Sequence, residues 1–141
     1  MIYNTTHPNE DYTIETNAAL GKSFSFLEKL KMGGVGSGRM MLAEVSPKLQ
    51  LKEKRFSEID YGNIEIRPKG IIVHYTNGLD RFAWAIPYYR LVIYHSTFFS
   101  IHAEGHFLKF IKNIKYRENK KFINKMVNFK NNYLKLGYYD Y

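Results

Sequence analysis

The chain has 141 residues and a formal net charge of +8, and 45% of its residues are hydrophobic and 16% aromatic. A chain of this length and composition buries one globular core, which excludes an intrinsically disordered protein. It contains no cysteine, which excludes disulfides, thiolate metal sites and cysteine nucleophiles.

The positive charge is concentrated at the carboxyl end. Residues 1–108 contain twelve Lys or Arg and eleven Asp or Glu, whereas residues 109–141 contain nine and two, so the balances are +1 and +7. The first fifteen residues have neither a basic start nor an apolar run, and no stretch reaches the roughly 18 apolar residues that span a bilayer. We therefore expect a cytoplasmic location.

The amino-terminal third predicts a polar start, one helix and a glycine-rich loop. Residues 1–12 are expected to be loosely ordered, and the apolar spacing predicts a helix over 16–32 in which Gly21 is a weak point. Residues 33–38 contain four glycines, which end the helix. This loop lacks the Gly-Lys-Ser/Thr ending and the strand-loop-helix order of a phosphate-binding loop, so a flexible linker is the preferred interpretation.

Seven short extended runs follow the glycine-rich loop. Their connections are too short for crossover helices, so the predicted sheet is antiparallel. Asn77-Gly78 is the strongest hairpin signal, and Pro87 predicts a corner between two strands because proline cannot donate to a strand ladder. The predicted strands cover residues 39–45, 63–67, 70–75, 81–86, 89–95, 98–103 and 107–112.

An amphipathic helix is predicted from Arg117 until Gly137. Its apolar positions recur every three or four residues, as expected for a helix that packs on a sheet, and lysines and asparagines occupy the other side. The apolar positions are Phe122, Met126, Phe129, Tyr133 and Leu136.

Seven antiparallel strands followed by one amphipathic helix resemble a pleckstrin-homology-like domain. Residues 81–94, in which Ile86-Pro87-Tyr88 leads into an apolar strand, are similar to the corresponding region of small bacterial domains of this type. The resemblance covers about residues 39–136. It implies an α+β fold: a strongly bent seven-stranded antiparallel sheet, or partly open barrel, closed by the C-terminal helix. Residues 1–38 are then an N-terminal extension with an additional helix, and residues 39–141 are the domain.

In family members that bind phosphoinositides, basic residues cluster in the loop between the first two strands of the domain. The resemblance therefore implies a candidate ligand-binding cluster there, although Glu53 interrupts it and two further acidic residues follow it. The cluster consists of Lys48, Lys52, Lys54 and Arg55.

A second polar group, His102, Glu104 and His106, surrounds a predicted hairpin turn. Two imidazoles and a carboxylate are a ligand set that zinc accepts. The alternative is ordinary surface polarity at a turn, and we predict no metal and no cofactor. Because no serine has the context of a nucleophile and no carboxylates are paired, we also predict that the protein is not an enzyme.

The leading hypothesis is a binding or scaffolding module whose partner is a protein. Two alternatives stay open: peripheral binding to anionic lipid head groups, and nucleic-acid binding through the basic C-terminal helix. Self-association through the terminal tyrosines, Tyr138, Tyr139 and Tyr141, also stays open.

Overall fold

The computed structural model describes residues 1–49 and 59–139, with side chains described as far as residue 135. A short 3-10 helix over Tyr88–Arg90 joins the fifth and sixth strands. The strands are β1 (Ile2–Asn4), β2 (Met40–Val45), β3 (Tyr61–Arg67), β4 (Gly70–Asn77), β5 (Asp80–Pro87), β6 (Val92–His95), β7 (Phe98–Ala103) and β8 (His106–Ile111). The helices are α1 (Glu10–Leu20), α2 (Phe26–Met32), α3 (Ile114–Glu118) and α4 (Lys120–Tyr139).

Across these described residues, the eight strands form one antiparallel sheet in the order β1-β5-β4-β3-β2-β8-β7-β6. The predicted α+β fold with an antiparallel sheet is confirmed, but the predicted number of seven strands is wrong. The additional strand is β1, in the segment predicted to be loosely ordered, where Ile2 pairs with Trp84 and Asn4 with Phe82. Among the described strands, β1 and β6 are edges that do not pair with each other, so the sheet is not closed.

The sheet has two parts that share one core. We call β1, β3, β4 and β5 the covered half and β6, β7 and β8 the uncovered half; β2 joins them. Inner-face side chains of both halves, such as Val73 and Trp84 on one side and Phe99 and Leu108 on the other, belong to one buried cluster. The sheet must therefore curve around this cluster.

Strand β2 changes partner along its length. Met40 and Met41 pair with Gly62 and Tyr61 of β3, and from Leu42 onward β2 pairs with β8, with a register irregularity between Leu42 and Glu44. A Cβ atom on Gly62 would lie only 2.9 Å from the ring of Phe110. Glycine at this position allows the two halves to approach closely.

The N-terminal segment forms two helices instead of the single predicted one. The side chain of Asn9 caps α1, and Ser25 and Glu28 form a capping box at the start of α2. The break follows Gly21, whose φ of 82° ends α1. Helix α1 packs on the outer face of the covered half, where fully buried Leu20 meets Ile72 and two alanines of β5.

The glycine-rich loop is hydrogen-bonded to the sheet. Gly33 adopts the left-handed conformation that terminates α2. Ile66 donates its backbone N–H to the carbonyl of Val35 at 2.7 Å, and Ser37 donates to the carbonyl of Ile64 at 2.8 Å. Residues 35–37 thus continue alongside β3 instead of behaving as a free linker.

The C-terminal helix packs on the sheet as predicted, although its bounds differ. Residues 114–118 form α3, and α4 continues through Gly137 to Tyr139. Phe122 and Met126 are buried, and Phe129 and Tyr133 pack against the core. In the part of the chain that the structure describes, none of the helices combines the length and apolarity needed to cross a membrane.

Candidate functional site

The basic cluster predicted for head-group binding falls mostly outside the described residues. Lys48 lies exposed in the turn that follows β2. Lys52, Lys54 and Arg55 lie in residues 50–58, outside the described part of the chain. The cluster therefore stays a prediction.

The proposed metal ligands of the β7–β8 hairpin point in different directions. Ala103 pairs with His106, and His102 pairs with Phe107, so the two histidines occupy opposite faces of the sheet. Glu104, at a positive φ of 52°, forms an ion pair with Arg90. Within residues 1–49 and 59–139, no three His, Cys, Asp or Glu side chains come together as a metal site requires.

The outer face of the covered half carries a polar network that locks α1 to the sheet. Glu65 accepts hydrogen bonds from Arg67 Nε at 2.5 Å and His74 Nε2 at 3.1 Å. Arg67 Nη1 also donates to Asn17 Oδ1 at 3.0 Å and to the carbonyl of Gly21 at 2.9 Å, both at the end of α1. A charge-assisted network of this kind fixes the orientation of the helix.

The Glu65 carboxyl is strongly acidic in this network. Burial by itself raises the pKa of Glu65, but hydrogen bonds from His74 and Arg67, together with the guanidinium charge, outweigh burial and lower the pKa to about 2. A general base in neutral solution is more effective with a pKa near the working pH. The pair of Glu65 and His74 therefore has the properties of a structural contact.

A cleft of about 550 Å³ lies beside this network. Arg39 lies over the ring of Tyr61, with 4.6 Å between the guanidinium carbon and the ring centroid, and Arg81 lines the same cleft. Buried Asp60 lies close by, because its Oδ1 accepts a hydrogen bond from the cleft residue Thr76 at 3.3 Å. The cleft therefore adjoins a carboxylate, which reduces its attraction for anions.

The uncovered half presents a different outer face. Val92 and Tyr94 of β6 project from it with 44% and 54% of their surface exposed. The ring of His102 lies edge-on to that of Tyr94, at a centroid distance of 4.8 Å, and its Nε2 lies 3.0 Å from Ser100 Oγ. This face combines aromatic side chains with polar atoms and is accessible to solvent at β6.

Strand β6 is also an edge of the sheet, and among the described strands it pairs with β7 alone. On its other face, His95 Nδ1 lies 3.4 Å from the hydroxyl of Tyr116 in α3. Burial and then the charges of Lys112 and Lys120 lower the pKa of His95, so the neutral ring is favoured.

Ile114, at the start of α3, is 63% exposed. Apolar side chains therefore lie on β6 and on the nearby start of α3.

This edge was not among the residues singled out from the sequence. Its signal was present, since Val92-Ile93-Tyr94-His95 contains neither the charges nor the proline with which edge strands are commonly protected. Which strand forms the edge depends on the pairing of the whole sheet, which a short strand does not encode.

Comparisons of the chain with protein-family models, with curated proteins and with solved structures gave no match. What the protein does must therefore be inferred from its own geometry.

Proposed function

We propose that this protein is a non-enzymatic binding module with a pleckstrin-homology-like fold, and that its partner is a protein segment that adds a strand to β6. The fold assignment is supported by the seven strands from β2 to β8, which are followed by a helix packed on the core. The same architecture serves several functions, so the binding site must be argued from the surface itself.

The observation that carries the proposal is the exposed apolar edge at β6. An edge strand offers unpaired backbone N–H and C=O groups, and an extended peptide binds such an edge by continuing the ladder. Val92 and Tyr94 would contact alternate side chains of the added strand on the outer face. Ile114 is exposed at the start of α3, whose Tyr116 contacts β6 on the other face.

The other sheet edge is less suited to this role. Strand β1 has only three residues, and the backbone N–H of Thr5, just after it, donates a hydrogen bond to the carbonyl of Arg81. Tyr3, its central residue, packs against Tyr12 of α1 and donates a hydrogen bond to Glu15 at 2.5 Å. Helix α1 thus already contacts the central side chain of that edge.

Nucleic-acid binding through α4 has weaker support. Its lysines offer phosphate contacts, but base stacking requires accessible aromatic rings. Phe122 is buried, and the rings of Phe129 and Tyr133 pack against Phe24 and Tyr88. The helix therefore uses its described aromatic residues to hold the fold.

The test is selection from a displayed library of random peptides about ten residues long, which is enough for one strand of five to six residues. We expect selected peptides to slow hydrogen exchange of the β6 amides. Val92→Lys and Tyr94→Lys should abolish binding, because charged side chains protect an edge from strand addition.

Leu79→Lys is the matched control, because Leu79 is an apolar side chain with 87% of its surface exposed in the turn between β4 and β5. This variant should retain peptide binding. If no peptide is selected, or if the selected peptides protect other strands and tolerate lysine at both β6 positions, the proposal is wrong.

A further inference from the structure

Helix α2 exposes three large apolar side chains that no part of the fold described above requires. Phe26, Leu27 and Leu30 are 74%, 69% and 62% exposed, and none of the residues of α2 is buried. Positions i, i+1 and i+4 lie on the same side of a helix, so the three side chains form one patch. The apolar patch consists of Phe26, Leu27 and Leu30.

The helix that carries this apolar patch is capped at its start and hydrogen-bonded to α4 at its end. Its start has the capping box of Ser25 and Glu28. At its end, Lys125 Nζ of α4 donates to the carbonyls of Gly33 and Gly34 at 3.3 Å and 2.9 Å. Just before the helix, Phe24 packs edge-on against Phe129 of α4, at a centroid distance of 6.2 Å. The apolar patch is therefore presented by a capped helix beside α4.

Lysines outnumber acidic residues in the sequence around the apolar patch and on the adjoining α4. Between residues 22 and 39 the sequence contains three lysines, one arginine and one acidic residue, Glu28, which is engaged in the capping box. Helix α4 adds five lysines and no acidic residue between Lys120 and Tyr139. Lys121 lies one turn before Lys125 and therefore on the side of α4 that meets α2. The lysines just before α2, within α2 and on the adjoining side of α4 are Lys22, Lys29, Lys31, Lys121 and Lys125.

We propose that α2, with the adjoining lysines of α4, is a membrane-docking surface that binds bilayers containing anionic lipids. A helix lying in the interface buries its apolar side chains among the acyl chains while its cations meet anionic head groups. Lysine side chains suit this position, because their apolar stems follow the interface and their ammonium groups stay in water. The patch supplies the apolar contact and the lysines supply the selection for anionic lipid.

The charge pattern favours a bilayer over other occupants. A second copy of the chain would bring the same lysines against this surface, and like charges repel. A nucleic acid would pair its phosphates with the lysines but offers no apolar phase for Phe26 and Leu27. An anionic bilayer offers both anionic head groups for the lysines and acyl chains for the apolar side chains. The proposal uses none of the residues of the basic cluster between β2 and β3, and it is independent of peptide binding at β6.

The experiment is sedimentation of the full chain with vesicles of phosphatidylcholine, with and without phosphatidylserine. We expect binding to the anionic vesicles alone, and we expect added salt to weaken it. Leu27→Asp should weaken binding by at least about tenfold, since the apolar contact of Leu27 with the acyl chains is lost and a carboxylate is introduced. Lys29→Glu and Lys31→Glu should each weaken it by at least about fivefold, the contribution of one lysine near an anionic surface.

Leu79→Asp, at an even more exposed leucine in the turn between β4 and β5, is the matched control and should bind like the unchanged protein. A second measurement, which does not depend on weakened binding, uses Phe26→Trp. The emission of the indole introduced at position 26 should shift to shorter wavelength with anionic vesicles and be quenched by brominated acyl chains.

Three results would overturn the proposal: no binding to either vesicle, equal binding to both, or binding that Leu27→Asp leaves unchanged. Binding that is lost on Lys48→Glu and retained by the α2 variants would assign the surface to the loop after β2 instead.

Discussion

The two halves of the sheet share one core, but their outer faces are used differently. On the covered half, α1 packs over Ile72 and Ala83, and Glu65, Arg67 and His74 are joined in one network. On the uncovered half, Val92 and Tyr94 project from the edge strand into solvent. The same sheet thus supports a stabilising contact with α1 on the outer face of the covered half and an accessible surface on the outer face of the uncovered half.

The two edge tyrosines show the difference at the level of single side chains. Tyr3 of β1 contacts Tyr12 and donates to Glu15. Tyr94 of β6 contacts His102 and is more than half exposed. The covered half, whose outer face packs against α1, contributes to stability. The uncovered half, whose outer face is accessible at β6, is available for binding. Mutations in the two halves should therefore separate these effects.

The largest effect on stability is expected at the centre of the covering contact. Leu20→Ala should lower the free energy of unfolding by about 2–5 kcal/mol, because it leaves a cavity at a fully buried position. Urea denaturation measures the change. Ile14→Ala, on the same helix at a site 66% exposed, is the control and should change stability by less than about 0.5 kcal/mol. Equal effects of the two variants would show that α1 does not stabilise the covered half.

A smaller effect is expected from the Glu65 network, and it should depend on pH. The pKa of Glu65 is lowered from 4.5 to about 2, so its stabilising contribution is present above pH 4.5 and is lost as the pH falls towards 2. Near neutral pH, Glu65→Gln should cost up to about 3 kcal/mol, the free energy that corresponds to this shift. The two proteins should converge in stability as the solution is acidified.

Unfolding free energies measured across this pH range test the prediction, and Glu104→Gln is the control from the uncovered half. The ion pair of Glu104 with Arg90 is about half exposed, so this variant should lose less than about 1 kcal/mol. A pH-independent difference between the unchanged protein and Glu65→Gln would contradict the lowered pKa.

The smallest effect is expected at the uncovered edge. Tyr94→Ala should change the free energy of unfolding by no more than about 0.5 kcal/mol, because most of this side chain is already in contact with water. Tyr3→Ala, the matched variant on β1, should cost at least about 1 kcal/mol through loss of its aromatic and hydrogen-bonded contacts. Thermal unfolding compares the two; a larger loss at Tyr94 would reverse the assignment of the halves.

Much of the sheet could be predicted because its strands are joined by recognisable turns. Asn77-Gly78 and Pro87 marked the ends of β4 and β5 correctly. Strand β1 could not be predicted in the same way, since three residues show no periodicity and its partner β5 is distant in sequence. Long-range pairing decided its conformation.

The helical segments show a second limit of pattern analysis. The apolar spacing that predicted one helix over residues 16–32 included Leu27 and Leu30, which the structure leaves exposed. The capping signals at Asn9 and at Ser25 with Glu28 were present in the sequence and would have divided the segment correctly. Apolar periodicity identifies a helix face that is stabilised by contact with apolar groups. It does not show whether the rest of the same protein supplies that contact.

The candidate sites differ in how far local sequence could define them. The separation of His102 from His106 follows from the two-residue turn between Ala103 and His106 once the hairpin register is known. The network around Glu65 could not be predicted from spacing, because it needs β3, β4 and the end of α1 together. The exposed edge at β6 likewise depends on the order of the whole sheet.

The single tryptophan of the chain, Trp84, gives the molecule a built-in spectroscopic reporter. Its indole is 2% exposed on the inner face of β5 and lies edge-on to the ring of His106, at a centroid distance of 6.4 Å. Because β5 belongs to one half and His106 to the other, separation of the halves would move the indole into water and shift its emission to longer wavelength. Unchanged emission from a variant with weakened binding would show that the core has stayed closed.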